Sequence, residues 1–206
     1  MAKLFRVSAR TALSSVVEPI ARALLRLGIT PNTVTVIGTL GVLVGAVGFA
    51  ARGHLLIALV LVVIFALTDF LDGTMARMKG GSTRFGAFLD SSMDRVADAG
   101  IFGSLAYYLA TRDDRWGMVA ALLCLAVGQI VSYVKARAEG LGMTCNVGIA
   151  ERPERLLSVG VGGLLAIVGL EWALPAALWV LAVLSVITVG QRIAHVYKQA
   201  QTQTTA

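Results

Sequence analysis

The sequence predicts an all-α integral membrane protein, with six transmembrane helices preceded by an N-terminal amphipathic interfacial helix. Three observations carry this reading. Of 206 residues, 57% are hydrophobic and 15% charged, with mean hydropathy +0.79, which is more apolar surface than a water-soluble domain can hide. Apolar runs of span length recur along the chain. Lysine and arginine segregate to alternate loops. Six crossings of about 20 residues take roughly 120 residues, so 1–206 read as one membrane domain with no separate soluble part.

Residues 1–18 hold Leu4, Phe5, Ala9, Ala12, Leu13 and Val16 at helical spacing, opposite Lys3, Arg6, Arg10 and Ser14. Charge interrupts the apolar residues, which excludes a cleavable signal peptide and suits a helix lying among headgroups. Pro19 marks a bend or a new helix start, and Thr30-Pro31-Asn32-Thr33 opens the first span. Runs 34–51, 55–68, 116–134 and 172–190 carry no charge. Two further spans are less clean: 85–111 holds Asp90, Asp94, Arg95 and Asp98 in its first half, and 156–170 is short. Gly41 and Gly45 form a GxxxG spacing, read as ordinary bundle packing ahead of a dimer face, with a homodimer kept as the alternative. Cys124 and Cys145 have no disulfide or metal-ligand spacing and read as free thiols. The Gln- and Thr-rich residues 199–206 read as a disordered tail.

Dealing the loops alternately to two sides gives one side Lys3, Arg6, Arg10, Arg22, Arg26, Arg77, Lys79, Arg84, Lys135, Arg137, Arg152, Arg155, Arg192 and Lys198, fourteen of eighteen cations. Both termini are therefore expected on the cytoplasmic side of the plasma membrane. The net charge of +6 is a topology signal, not a nucleic-acid footprint.

An ionisable residue inside a span is costly enough to mark function. Asp69 and Asp72 share one face of the second span, and Asp90 and Asp94 one face of the third. Helical rise puts Asp69 about 21 Å from Leu55 and Asp94 about 26 Å from Thr111, so both pairs fall in the cytoplasmic third. Four converging carboxylates repel unless cations sit between them, and an all-oxygen donor set favours Mg²⁺ or a similar hard ion. Asp98 is left outside this site because Arg95 offers it an i, i+3 partner. Gly73 and Gly86 leave bare backbone beside the carboxylates, Gly80 and Gly81 break the helix, and Arg77, Lys79, Ser82, Thr83 and Arg84 add cations and hydroxyls. A diphosphate held by two metal ions fits this set.

Asp69-Phe70-Leu71-Asp72-Gly73-Thr74-Met75-Ala76-Arg77, then eight residues, Gly86, three residues, Asp90, three residues and Asp94 resemble the D-x2-D-G-x2-A-R-x8-G-x3-D-x3-D signature of the CDP-alcohol phosphotransferase family. The resemblance implies an enzyme that moves a phosphatidyl or related group from a CDP-linked lipid to an alcohol and releases CMP. It also implies that Asp69, Asp72, Asp90 and Asp94 ligate two Mg²⁺ ions, with Mn²⁺ as the alternative, and that Asp94 is the general base. Gly73, Arg77 and Thr83, with the turn Pro31, Asn32, Thr33 and Val34, are implied to bind the CDP-lipid. That turn is equally an ordinary helix start.

Lys135, Arg137, Arg152, Arg155 and Arg192 fall at cytoplasmic span ends, which suits an acceptor that already carries phosphate, although positive-inside placement explains some of them. Ser132-Tyr133-Val134-Lys135-Ala136-Arg137-Ala138-Glu139 and Glu151-Arg152-Pro153-Glu154-Arg155-Leu156 resemble the actinobacterial phosphatidylinositol-phosphate synthase branch. This implies CDP-diacylglycerol and inositol 1-phosphate as substrates within membrane lipid, with Lys135, Arg152, Arg155 and Arg192 on the acceptor and Arg137 less central. A glycerol 3-phosphate acceptor, as in phosphatidylglycerophosphate synthesis, is the alternative. A divalent-cation transporter is a remote one, since it leaves Gly73, Ala76, Arg77 and Gly86 without a role.

Overall fold

The computed structural model describes residues 17–204, all of whose regular structure is helical. The predicted interfacial helix falls largely on residues 1–16, outside the described part. From there the order is α1 (17–26), α2 (Pro31–Leu43), α3 (Leu55–Ala66), α4 (Thr68–Met78), α5 (Arg84–Ala110), α6 (Arg115–Gly140), α7 (Arg152–Ile167) and α8 (Ala173–Thr204).

The chain divides into two compact units. One holds the described residues up to Gly45 together with Val60–Ala97; the other holds Ala46–Leu59 and the chain from Asp98 onward.

Local chemistry sets the boundaries. Thr30 caps α2, its hydroxyl accepting from the Thr33 amide at 3.2 Å, and Pro31 occupies the first turn, where it forfeits no helical bond. Beyond Leu43 the same rod widens into a π-helical turn, Val44–Phe49, then tightens into a 3-10 turn, Ala50–Arg52. Gly80 and Gly81 end α4 at φ +94° and +121°, a conformation that side-chain-bearing residues resist. Asp114 caps α6 through the Gly117 amide.

Among the described residues, four stretches are long and apolar enough to cross a membrane: Pro31–Arg52, Leu55–Met78, Arg115–Gly140 and Ala173–Thr202. This is fewer than the six predicted, and the two others fail for different reasons. Helix α5 has 27 residues, but its first half carries Arg84, Asp90, Asp94, Arg95 and Asp98. Helix α7 has 16 residues, about 24 Å of rise against roughly 30 Å of hydrocarbon. The tail prediction is corrected over 199–204, where α8 continues through Thr204. Side-chain bonding explains the order there: Gln199 Nε2 donates to the Thr144 carbonyl at 2.6 Å, and Gln199 Oε1 accepts from the Thr144 amide at 3.1 Å.

In the first unit α2 packs on the α3–α4 rod through its glycines. A Cβ at Gly38 would fall on the Thr68 side chain, and one at Gly41 on the Phe65 ring. Gly41 is therefore spent inside the chain, as the bundle-packing reading expects. Val34, Ala21 and Met75 form a small core, flanked by Leu24, Leu25, Ile29 and Leu71. The other face of the rod exposes Val60, Val63, Ile64, Leu67 and Phe70, the pattern of a lipid-facing surface.

In the second unit α8 packs against α6 and α7 around Leu174, Leu178 and Leu181. Gly162 of α7 meets Ala177, and the Cys124 thiol of α6 donates to the Leu178 carbonyl. Both cysteines are free and buried.

Gly41→Val is expected to destabilise the protein by about 2 kcal/mol, since the added carbons cannot enter the Phe65 contact without displacing it. Thermal unfolding in detergent reads the loss, and an unchanged midpoint would refute the packing role.

Candidate active site

Helix α4 ends where α5 begins, with only the Gly80–Gly81 turn and Ser82–Thr83 between Lys79 and Arg84. The turn folds α5 back so that a cavity of about 620 Å³ opens between the two helices and the start of α2. Asp72, Gly73, Arg77 and Lys79 line it from α4 and its end, Ser82 and Thr83 from the turn, Gly86 and Asp90 from α5, and Thr30, Pro31, Asn32 and Thr35 from α2 and its cap.

Two helix N-termini open on this cavity. Thr83 caps α5, its hydroxyl accepting from the Gly86 amide at 2.9 Å, as Thr30 caps α2. Each N-terminus carries partial positive charge, and Arg77 and Lys79 add two full charges. Arg77 Nη2 donates to the Thr74 hydroxyl at 2.8 Å, which steadies the guanidinium along α4. Gly86 keeps the gap open: a Cβ there would come within 3.1 Å of the Thr83 hydroxyl and 3.2 Å of Asn32 Oδ1. Gly73 leaves its own stretch of wall without a side chain.

Against this positive lining stand the carboxylates. Asp72 is 7% exposed, and the Thr35 hydroxyl donates to its Oδ2 at 2.6 Å. Asp69 and Asp90 both lie within electrostatic reach of Asp72. Asp94 stands one turn beyond Asp90, half-buried, with Arg95 Nη2 3.7 Å from its Oδ2. No group of three His, Cys, Asp or Glu residues among the described residues is drawn together tightly enough to hold a metal ion. The donor chemistry nonetheless fits a hard divalent cation, because the carboxylates on this wall have neither His nor Cys beside them. A cavity with carboxylates on one wall and cations, hydroxyls and helix N-termini on the others suits a polyanion bridged by divalent ions.

Thr30 to Thr33 form an ordinary capped helix start, and Pro31 and Asn32 also line the cavity. Thr33 is exposed and bonded to Thr30 at 2.9 Å, while the Val34 side chain is buried with Ala21 and Met75.

The cations of the second unit are described by themselves. Lys135 lies 3.9 Å from Glu139, and Arg137 is exposed. Arg155 is 1% exposed; its Nη1 donates to the Gly128 carbonyl at 3.0 Å and its Nη2 to Asp98 Oδ2 at 2.5 Å. Arg152 Nε lies 3.7 Å from the other Asp98 oxygen. Arg192 is 3% exposed and donates to the Val147 and Val131 carbonyls at 2.8 and 2.7 Å and to Glu151 at 2.9 Å.

Asp98 therefore corrects the expectation that Arg95 is its partner: the carboxylate is committed to α7. Sequence reading also missed Gly128 and Thr188. A Cβ at Gly128 would sit 2.8 Å from Arg155 Nη1, so the glycine makes the guanidinium's berth on α6. The Thr188 hydroxyl accepts from the Ile149 and Ala150 amides and fixes the loop before α7. Neither residue carries a local signal, since each matters only through a partner dozens of positions away.

The sequence model described as CDP-alcohol phosphatidyltransferase matches residues 28–190. The chain is 47% identical over 192 residues to a phosphatidylinositol phosphate synthase of Mycobacterium marinum, covering 91% of this chain and 82% of that one. It is 42% identical over 200 residues to one of Streptomyces avermitilis, covering 93% and 82%. Among solved structures it resembles the Mycobacterium tuberculosis phosphatidylinositol phosphate synthase with CDP-DAG bound, at TM-score 0.85 and 43% identity over 89% of this chain and 94% of that one. The same protein in complex with manganese and citrate gives TM-score 0.84 at 43% identity, over 88% of each chain.

Thr35→Val removes the donor to a buried carboxylate and is expected to cost about 2 kcal/mol, while Thr35→Ser retains most of the stability. Parallel unfolding of the two variants in detergent checks this; equal losses would mean that the hydroxyl is not what matters.

Proposed function

The chain belongs to the CDP-alcohol phosphatidyltransferase family, and from that premise we propose that it transfers the phosphatidyl group of CDP-diacylglycerol to inositol 1-phosphate, giving phosphatidylinositol phosphate and CMP. The observation that carries the reading is the single cavity on which Arg77, Lys79 and two helix N-termini face Asp72 and Asp90. Its charges match a diphosphate that arrives with divalent cations.

In this reading Arg77, Thr83 and the amides of the α2 and α5 N-termini hold the diphosphate, Gly73 lets it approach the backbone, and the Pro31–Val34 turn abuts the nucleotide. Asp69, Asp72, Asp90 and Asp94 hold two divalent ions, Mg²⁺ first and Mn²⁺ as substitute; a relative with manganese bound supports a divalent cation. When bound, such ions neutralise charge on the attacking and leaving oxygens of a displacement at phosphorus.

Asp94 accepts the proton of the acceptor hydroxyl. The hydroxyl oxygen bonds to the lipid-side phosphorus, and the bond from that phosphorus to the bridging oxygen breaks. CMP leaves with that electron pair. Lys135 and Arg152 would face the acceptor phosphate, with the enclosed Arg155 and Arg192 assigned to the same acceptor region, and the names of the relatives support inositol phosphate as that acceptor. The acyl chains stay in the bilayer beside exposed apolar surface such as Ile64 and Phe70.

The same reading makes α5 and α7 the third and fifth of six spans in one plasma-membrane domain, with both termini cytoplasmic. The family match runs through both compact units. The excess of Lys and Arg in alternate loops supports the orientation.

The test is CMP release by purified protein from CDP-diacylglycerol with Mg²⁺, comparing inositol 1-phosphate, glycerol 3-phosphate and free inositol. Selective turnover of inositol 1-phosphate is expected; preference for glycerol 3-phosphate would overturn the acceptor, and no CMP release with any of the three would overturn the chemistry. Asp94→Asn is expected to lower kcat by about 10² or more at an unchanged melting temperature. Chelation of divalent ions is expected to abolish turnover, with recovery on adding Mg²⁺ or Mn²⁺; activity that survives EDTA would remove the metal from the mechanism.

A further inference from the structure

Thr35 has no place in the aspartate signature, yet it is 8% exposed and its hydroxyl donates to Asp72 Oδ2 at 2.6 Å, across 37 positions of sequence. The hydroxyl has one hydrogen and two acceptors near it. The Pro31 carbonyl is uncharged and lies farther off, at 3.1 Å, so the hydrogen belongs to the carboxylate. Thr35 is also a stiff donor. Its β-branch restricts χ1, and it stands in the second turn of a helix whose start is fixed by the Thr30 cap and by Pro31.

The spacing that this bond needs is set one turn further along. Gly38 brings α2 so close to α4 that a Cβ there would fall on the Thr68 side chain. Thr35 and Gly38, three apart on one face of α2, meet Asp72 and Thr68, four apart on one face of α4. The two contacts bracket Asp69. A glycine thus sets the distance between the helices, and a hydroxyl fixes the carboxylate within it.

Asp72 needs such a hold. Asp69 and Asp90 are within electrostatic reach of it, and when all three are ionised their repulsion turns the Asp72 carboxylate away from the others. The Thr35 hydroxyl, with a hydrogen bond from the Gly73 amide, restrains that rotation. Partners that orient a ligating carboxylate in this way typically account for about 10- to 100-fold in metal affinity.

We propose that Thr35 is a positioning residue for the divalent ion: its hydroxyl holds the Asp72 carboxylate in the orientation that receives the cation. The proposal rests on the reading that Asp72 is a metal ligand. Thr35 acts through Asp72, where its hydroxyl hydrogen is spent.

The test is Mn²⁺ binding to the purified full-length protein without substrate, read from the free Mn²⁺ signal in electron paramagnetic resonance. Parent, Thr35→Val and Thr35→Ser are compared, each well below its own unfolding midpoint. Val keeps the branched shape and loses the donor, whereas Ser keeps the donor. Thr35→Val is expected to raise the Mn²⁺ dissociation constant about tenfold or more, and Thr35→Ser to stay within about threefold of the parent. The Mg²⁺ concentration for half-maximal CMP release is expected to rise in parallel in Thr35→Val, with KM for inositol 1-phosphate unchanged. Folded Thr35→Val that binds Mn²⁺ as the parent does would overturn the proposal, as would equal weakening by Val and Ser. If Thr35→Val does not fold, Thr35→Cys supplies a poor donor of similar size; its dissociation constant is expected to rise about threefold or more, and a value equal to the parent's overturns the positioning role. Parent protein that binds no Mn²⁺ would instead remove the metal-ligand reading of Asp72 and the proposal with it, a result distinct from every variant outcome.

Discussion

An ionised group carried into the apolar part of this chain must find its countercharge or its hydrogen bonds within the chain, and much of the architecture answers that demand. Asp72 takes the Thr35 hydroxyl, Asp98 takes Arg155, and Arg192 spends three nitrogens on two carbonyls and Glu151. Each arrangement crosses between elements, so satisfying a charge and fixing a tertiary contact are one event. The helices are held in register by polar contacts that lipid cannot replace.

Close approach is the second requirement. Hydrocarbon offers helices no hydrophobic reason to associate, so contact has to come from shape and from polar pairing. Gly38 and Gly41 admit Thr68 and Phe65, Gly162 admits Ala177, and Gly128 admits a guanidinium. The bare backbone that would weaken these helices in water is here the surface against which partners lie.

How much of this was legible in the sequence follows from the range of each interaction. The two aspartate pairs were legible as pairs because their spacing is local: three and four residues apart, they declare a shared helix face before any fold is known. The Thr30 cap and the Gly80–Gly81 break were legible for the same reason. Asp98 was misread because a plausible partner, Arg95, lay within one turn, whereas Arg155 is 57 positions away. The helix through Thr204 was missed because the polar tail has no apolar periodicity and Thr is a weak helix former, and the bond that orders Gln199 comes from Thr144, 55 positions earlier. The count of spans differs at α5, which the sequence reading took as a span: its 27 residues suffice in length, but the charge in its first half keeps it from the apolarity of the other four.

The π-helical turn at Val44–Phe49 bears on how this chain tolerates change in length. A π turn is an α-helix that has absorbed one surplus residue, with the excess confined to a single widened coil. The faces before and after it keep the phase of an uninterrupted rod one residue shorter. Gly38 and Gly41 on the near side can therefore stay aimed at their partners whether or not the surplus residue is present. This stretch is the point in the first span where a one-residue deletion would close the widened coil without rotating either flank, whereas the same deletion between Thr35 and Gly41 would turn the Thr35 hydroxyl away from Asp72 by about 100°.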